Sequence, residues 1–416
     1  MINRNIWNKF FSTLQRDGIN ALFRALVYFG FRFLGLILAL PSIIALWILK
    51  PFFWLRVGKL NHARIGRLAL DTDFFLRQRQ LGRYSDGPFY CFLCDSRGLA
   101  NRQLLVMFQR ILPLCESRVL VALYDGILPI LKNTPFHQPL ILDEKDYPDF
   151  NKTQSSIQFT PDEIQKGREL LKQMNVDFEN EDYVCIFARD NAFLEQTQPY
   201  NSWDYLDCYN ADIDTYKEAI KYLNEKGLTV IRVGSIVNKP ISYSHARFID
   251  YSISNMRSDF LDIFLVANCK FFLGTDAGLA GVAVVADVPR VSVNYAKFGY
   301  QPYGKQCLYI PKKYKFLKTG EYVPSKEAIA IKLDPYLKNL SELNLELEDN
   351  SPQDILSVTR EMEDRLDGTF KYSPEEERLI RAFNESWASP DAPGQRIPTP
   401  IGIEWLKRNK YLYFPE

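Results

Sequence analysis

The chain is short of histidine, of net charge and of metal-ligand spacing, and each shortage excludes something. Its three histidines, His62, His137 and His245, stand far apart with no partner pattern, so no Ser-His-Asp arrangement is spelled out. No G-x-S-x-G, Walker loop or G-x-G-x-x-G appears. With 51 basic and 50 acidic residues the net charge is +1, which gives no broad footprint for nucleic acid. The cysteines, Cys91, Cys94, Cys115, Cys185, Cys208, Cys269 and Cys307, are odd in number and mostly sit in apolar runs. Cys91 and Cys94 form a C-x-x-C, but PFYCFLCD reads as a strand that points them to opposite faces. With no second pair and no suitable His spacing, a zinc site is not expected, and buried free thiols in a reducing compartment are. No D-x-D stands at a strand end: Asp71-Thr-Asp73 and Asp212-Ile-Asp214 both read as helix starts. No metal cofactor is therefore expected.

What is present fills more than one core. At 416 residues the chain is too long for a single ordinary domain, and 47% hydrophobic with 24% charged residues is globular rather than disordered. The amino terminus is different. Residues 33–49, FLGLILALPSIIALWIL, carry no charge and lie between Arg32 and Lys50. The run is at the short limit for crossing a bilayer, and Pro41 breaks it near the middle. Before it, Trp7, Phe10, Phe11, Leu14, Leu22, Phe23, Leu26 and Val27 alternate with Arg4, Lys9, Arg16 and Arg24, the pattern of a basic helix lying in an interface. After it, PFFWLR is an aromatic segment suited to headgroup depth. A cleaved signal peptide does not fit, because the run starts late and no small-residue cleavage site follows. A single span and a kinked re-entrant or monotopic anchor with both ends cytoplasmic stay open; the proline and the free cysteines favour the second.

From residue 60 onward strands alternate with helices. ARIGRLALDTDFFLRQRQLG reads as a strand-like opening and a helix, GPFYCFLC as a strand, ANRQLLVMFQRILPL as a helix and SRVLVALYD as the next strand. Residues 133–160 look like loop. TPDEIQKGRELLKQMNV is a helix with Thr160 as cap, Pro161 at its first position and Glu163 closing a capping box. Then come the strand YVCIFARD, a loop rich in Tyr, Trp and Asn, and the helix TYKEAIKYLNEK ended by Gly227. LTVIRVGS, ARFIDYS, KFFLGT and PRVSVN are further strands, with helices SDFLDIFLVANC and AGLAGVAVVAD between them. Successive βα units with short links predict an α/β protein with doubly wound, mainly parallel sheets.

In such sheets ligands bind outside the carboxyl ends of the strands. Ala188 to Asp190, Val233 to Ser235 (including Gly234) and Thr275 to Asp276 all fall there. The turn Gly274-Thr275-Asp276-Ala277-Gly278, between a strand and a helix, is a phosphate-holding geometry, though the glycines alone would also make a tight turn. Arg189, Arg232 and Arg257 are candidate diphosphate ligands. The alternatives are pairs with neighbouring carboxylates, Arg189 with Asp190 and Arg257 with Asp259. Ser258 and Asp259 serve equally as helix caps. Asp276 is placed to accept a sugar hydroxyl or to stabilise its own turn. A base is expected from Asp95, at the end of the Tyr90–Cys94 strand, or from Asp190. Asn101, at the start of the helix that follows, is a further substrate contact.

FARDNAFLE, DIDTYKEAIKYLNEKGLTVIRVGS and IDYSISNMRSDFLDIFLVANCKFFLGTDAGL resemble a family of bacterial glycosyltransferases found with surface-polysaccharide genes. GTDAGLAGVAVVADVP is more distantly similar to the donor motif of heptosyltransferases, and the Arg of FARD is similar to that of α-fucosyltransferases. The resemblance implies two Rossmann-like domains of the glycosyltransferase B type without a catalytic metal. It also implies donor contacts at Arg189, Arg232, Gly274, Thr275, Asp276 and Gly278. An early Gly-Asp base of heptosyltransferases is not matched, since Gly66 is followed by Arg67. The expected domains are a membrane-associated anchor (1–58), an acceptor domain (59–178), a donor domain (179–345) and a helical extension (346–416) packing back on the acceptor domain. The expected partners are a nucleotide-sugar, a glycan or lipid-linked glycan acceptor, and the cytoplasmic face of the inner membrane. Transfer of another activated group, such as pyruvyl or glycerol phosphate, and a non-catalytic tethered scaffold are the alternatives.

Overall fold

Short apolar runs that end in turn residues become parallel strands in the three-stranded and six-stranded sheets. The structure is a computed structural model and describes residues 19–141, 148–197, 203–297, 301–330, 340, 342–387 and 399–414. The basic amphipathic stretch ahead of residue 19 and the Pro-rich passage at 389–398 lie outside the described residues. The chain divides into two compact units, residues 1–142 with 198–201 and residues 143–197 with 202–416.

The first unit holds a parallel sheet of β1 (Leu55–Lys59), β2 (Phe89–Cys94) and β3 (Leu114–Glu116), in that order. On the outer side of β1 a parallel bridge joins Val57 to His137. The backbone approach there requires Gly58, because a Cβ would run into the Gln138 carbonyl oxygen. The strands are linked by the helices Ile65–Gln80 and Arg102–Gln109, and the helix Arg118–Leu131 follows β3. SRVLVALYD, expected as a strand, is thus helical. Ser117 caps it by accepting from the Leu120 N–H, and the strand before it has only three residues. Its apolar residues are needed on two sides: Val121, Tyr124 and Leu131 join Leu93 and Phe136 in a core, while Gly126 meets the amino-terminal helix. A helix covered on both sides loses its one-sided pattern and reads as a strand.

That amino-terminal helix, Ile19–Leu49, runs through Pro41, where a break was expected. Proline removes one ladder bond, at a cost of about 3 kcal/mol. The same stripe of buried residues continues on both sides of it, Gly35 and Ala39 before and Ile43 after, so packing holds the axis. Gly35 lies against the Leu123 carbonyl and Gly126 against the Arg32 carbonyl, with no room for a Cβ at either. The Tyr28 hydroxyl donates to Asp125 at 2.5 Å, and Lys59 pairs with the same carboxylate. Residues Phe23–Leu49, with mean hydropathy 2.2, are long and apolar enough to cross a membrane.

The second unit is built on six parallel strands: β4 (Tyr183–Phe187), β5 (Thr229–Arg232), β6 (Phe248–Asp250), β7 (Phe271–Gly274), β8 (Arg290–Tyr295) and β9 (Cys307–Pro311). Their order is β6-β5-β4-β7-β8-β9. Counted from β4 this is 3-2-1-4-5-6, the doubly wound order, with the reversal between β4 and β7. A separate antiparallel pair joins β10 (Lys313–Phe316) to β11 (Leu345–Glu348). The helix Pro161–Gln173 has the expected capping box. It packs in this unit, with Gly167 under the Phe264 ring where no Cβ would fit.

The carboxy-terminal helices pack within this unit. Ile355, Val358, Met362, Phe383, Trp405, Leu406 and Tyr413 share one core with Val184, Ile186, Val230, Leu273, Val291 and Leu308 of the sheet. All seven cysteines are free, with Cys94 buried and Cys91 half-buried on β2.

Candidate functional site

The strand order reverses between β4 and β7. The two strands flank the reversal, and the residues that follow them, 188–190 and 275–276, stand where such sheets hold ligands. They are stitched together directly: the Arg189 N–H donates to Thr275 Oγ1 at 3.1 Å, and the Thr275 N–H donates to the Phe187 carbonyl at 3.1 Å. Thr275 is fully buried and Gly274 sits so close to the Phe187 carbonyl that no side chain fits. Gly278 has φ +53. The following helix, Ala280–Val285, is only one and a half turns or so, and its first amides close tight turns onto Ala277 and Gly278. Expected phosphate binding by a helix dipole is correspondingly weak at this length.

Arg189, almost buried, extends from the end of β4 to the segment after it. Its guanidinium donates to Asn191 Oδ1 at 3.1 Å, to the Leu206 carbonyl at 3.0 Å and to Asn210 Oδ1. Lys312 reaches the Asn210 carbonyl at 2.7 Å and pairs with Asp349 at 2.7 Å. The contributions of Asn210 and Lys312 carried no sequence signal, because each meets its partner across a long stretch of chain. Asp190 is not bonded to Arg189: its two oxygens accept the Ala192 N–H at 3.0 Å and the Asn238 N–H at 2.9 Å. Both oxygens therefore hold loops.

The other expected cations are engaged inside the fold. Arg232, at the end of β5, donates to the Lys239 carbonyl at 2.9 Å and to Asp250 Oδ2 at 3.1 Å, with its side chain buried. Asp250 accepts from Ser252 and from the Ile241 N–H as well. Arg257 pairs with Asp262 at 2.8 Å, not with Asp259. Ser258 caps the helix Asp259–Ala267 through the Leu261 N–H, and Asp259 opens its first turn. The Tyr251 hydroxyl donates to Asp262 at 2.7 Å. Burial pushes the Asp262 carboxyl up to about 6, against the pull of Tyr251 and Arg257. Asp276 pairs with Arg290, which the sequence reading did not single out, and Arg290 also donates to the Tyr303 carbonyl at 2.8 Å. Gly234 has φ +154 and stands beside Val237 and Ser252, with Ser235 half-buried next to it.

A cavity opens beyond the ends of β8 and β9, walled by Tyr295, Tyr309, Tyr314 and Tyr413 with Lys297 and Lys312 at its edge. It is two strand spacings, about 10 Å, from the reversal along the same edge of the sheet.

In the first unit, Asp95 follows β2 and pairs with Arg97 at 2.7 Å, accepting its backbone N–H as well. Burial works to raise its carboxyl, but the Arg97 bonds and charge prevail and hold it below its ordinary value. A carboxylate so held is a weak base until the arginine is drawn elsewhere. Asn101 is buried and caps the helix Arg102–Gln109 by accepting the Leu104 N–H at 2.9 Å. Among the described residues no group of three His, Cys, Asp or Glu is placed to hold a metal ion.

No protein-family model matches the chain, and no curated protein matches it in sequence. Among solved structures it is similar to a glycosyltransferase family 9 protein from Veillonella parvula, at 10% identity and a TM-score of 0.39 over 62% of this chain and 86% of that one. It is also similar to the E. coli ADP-heptose lipopolysaccharide heptosyltransferase II, at 13% identity and a TM-score of 0.39 over 62% of this chain and 90% of that one. A third is an E. coli heptosyltransferase bound to a fluorinated ADP-heptose, at 10% identity and a TM-score of 0.30 over 62% and 93%. The chain is thus distantly similar to heptosyltransferases. Likenesses of that size identify no reaction or substrate for it.

Proposed function

We propose that the chain is a glycosyltransferase that binds a nucleotide-sugar at the carboxyl edge of the six-stranded sheet and transfers the sugar to a bacterial surface glycan. One observation carries the reading: the doubly wound strand order puts Arg189 and Thr275 on the two sides of its reversal, the place where such sheets bind nucleotides. Arg189 supplies positive charge to the departing diphosphate, and the Gly274–Gly278 turn lets the backbone approach it. Arg232, Arg257 and Asp276, engaged in ion pairs, are positioning residues that hold the surrounding loops. The proposed acceptor base is one of the two carboxylates that the sequence offers, Asp95 or Asp190. The proposed reaction needs no resident metal, and the proposed location is the cytoplasmic face of the inner membrane, by way of the apolar amino-terminal helix.

The same ion pairs favour one rival. Side chains tied into the fold are what a tethered scaffold that no longer turns over would retain.

A thermal-shift series on the full chain in detergent separates them, using UDP-, GDP-, CMP-, dTDP- and ADP-sugars with and without EDTA. Stabilisation by one nucleotide that survives EDTA and is lost in Arg189→Gln supports the transferase and names its donor. Stabilisation that EDTA abolishes overturns the metal-free step. A flat response at millimolar ligand turns the reading toward the scaffold or toward transfer of a group not carried on a nucleotide.

A further inference from the structure

The end of the amino-terminal helix and the amino edge of the first unit's sheet meet in one aromatic rim. Phe52, in the turn between the helix Ile19–Leu49 and β1, is 89% exposed, more than any other large apolar side chain among the described residues. Phe53 beside it lies against Phe89, the first residue of β2, with ring centroids 5.6 Å apart and each ring about half exposed. Trp47, on the last turn of the helix, is half exposed as well. Parallel pairing of Leu55 with Phe89 brings the helix end and the second strand to the same edge. Rings that touch one another and still face water leave apolar area for a partner to cover. The rim also continues the uncharged outer face of the helix, where Ile44 and Ile48 are 58% and 67% exposed.

The cations of this edge rest on rings and not on carboxylates. Lys50 Nζ stands 4.9 Å from the ring centroid of Trp47 and 4.9 Å from that of Trp54, between two indoles. Arg79, exposed on the last turn of the helix Ile65–Gln80, lies 5.5 Å from the Tyr90 centroid. Neither has a carboxylate in ion-pair contact among the described residues. A cation held by a ring keeps most of its charge for a second partner, which a salt bridge would neutralise. Arg83 has another contact. Apart from it, segments 47–56 and 79–90 hold Lys50, Arg56 and Arg79 against one acidic residue, the exposed Asp86. The complement of such an edge is apolar on one side and anionic on the other, the boundary between acyl chains and phosphate headgroups. An acidic protein surface would match the charges but not the apolar face that runs on along the helix.

We propose that this rim, Trp47, Phe52, Phe53 and Phe89 with Lys50 and Arg79, sits at headgroup depth in an anionic bilayer, and that the two cations bind lipid phosphates. This rests on the membrane-face location proposed above. It concerns the point where the helix ends, so it holds whether that helix crosses the bilayer or lies along it. A second attachment is thereby added: Phe89 belongs to the sheet, so β2 touches lipid as well as the helix does. Two attachments on one edge fix how the first unit faces the bilayer, with the amino ends of β1 and β2 toward it. Their carboxyl ends, where Asp95 follows β2, are at the other edge.

The test uses the full chain in phosphatidylglycerol–phosphatidylcholine vesicles, with the photoreactive residue p-benzoylphenylalanine replacing Phe52, Phe89 or, as a control in the second unit, the exposed Ile253. Illumination is expected to attach lipid at positions 52 and 89 and not at 253, read as a mass increase of the peptide. Flotation without lipid attached at either rim position overturns the rim and leaves the membrane location standing. A chain that does not float removes both. A crosslink from position 52 to a second copy would show that the rim is a dimer contact, and the proposal would fall. Affinity for the mixed vesicles is expected to drop about 30-fold in Lys50→Gln with Arg79→Gln, with affinity for phosphatidylcholine alone unchanged. Equal losses on both lipids, or no loss, overturn the phosphate contact. Nucleotide-sugar binding measured on the same samples bears on the transferase assignment alone.

Discussion

At the scale of single residues, the polar groups nearest the candidate site divide by what they touch. Arg189 reaches loop atoms around the crevice, whereas Arg232 is closed in with Asp250. Arg232→Ala leaves that carboxylate buried without its cation, so a loss of about 3–5 kcal/mol in urea unfolding is expected. Adding Asp250→Ala should restore part of it, because the uncompensated charge is then gone. If the single variant unfolds like the wild type yet loses donor affinity, Arg232 touches ligand after all. Asp262 gives a pH signature. Its carboxyl is raised from 3.8 to about 6, with burial the largest cause, so the folded state holds that proton more tightly than the unfolded one. Its contribution is present below about pH 4 and is lost as pH rises through about 6, a change on the order of 2–3 kcal/mol. The difference in unfolding free energy between wild type and Asp262→Asn, followed from pH 4 to 7.5, should therefore slope; a flat difference would refute the raised value.

At the scale of elements, one glycine on each of the helices Ile19–Leu49 and Arg118–Leu131 offers an internal control. Gly126 presses on the Arg32 carbonyl, while Gly30 has open space where a Cβ would be. Gly126→Leu should drive the two helices apart at a cost of about 1–3 kcal/mol or more, and Gly30→Leu should cost nothing measurable. Equal midpoints for both in chemical unfolding would mean that the seam contributes little to stability. The same elements show what a sequence can and cannot display. Helices with capping boxes, Pro161–Gln173 above all, and strands such as Phe271–Gly274 were legible because their signals are local. The helix Arg118–Leu131 was not, because covering on two sides erased its periodicity. Pro41 misled for a related reason: a local rule predicts a break, and a stripe of buried side chains on both sides of it overrides that rule.

At the scale of the molecule, alternation of strand and helix announces a doubly wound sheet, but the sheet's far edge is finished by residues nearly a hundred positions later. The Tyr309 N–H of β9 donates to the Pro400 carbonyl, and the Gly402 N–H donates back to Tyr309 at 2.9 Å. Trp405, Leu406 and Tyr413 then close the core beneath β8 and β9. No local pattern in a Pro-rich passage and a short helix reveals such a partner, so a packing surface on the other unit was equally compatible with the sequence. Where these residues go decides what truncation does. A chain ending at residue 370 loses Phe383, Trp405 and Tyr413 from the core and leaves β9 with unpaired backbone groups along the edge of the sheet. Removing one buried Trp alone costs about 3–5 kcal/mol, a large part of the stability of an ordinary domain. The truncated chain should therefore aggregate through its bare edge or melt without a cooperative transition, and Trp405→Ala should show the milder form of the same loss. A truncated chain that stays monomeric and melts at the wild-type temperature would show that the carboxy-terminal helices contribute nothing to the donor unit.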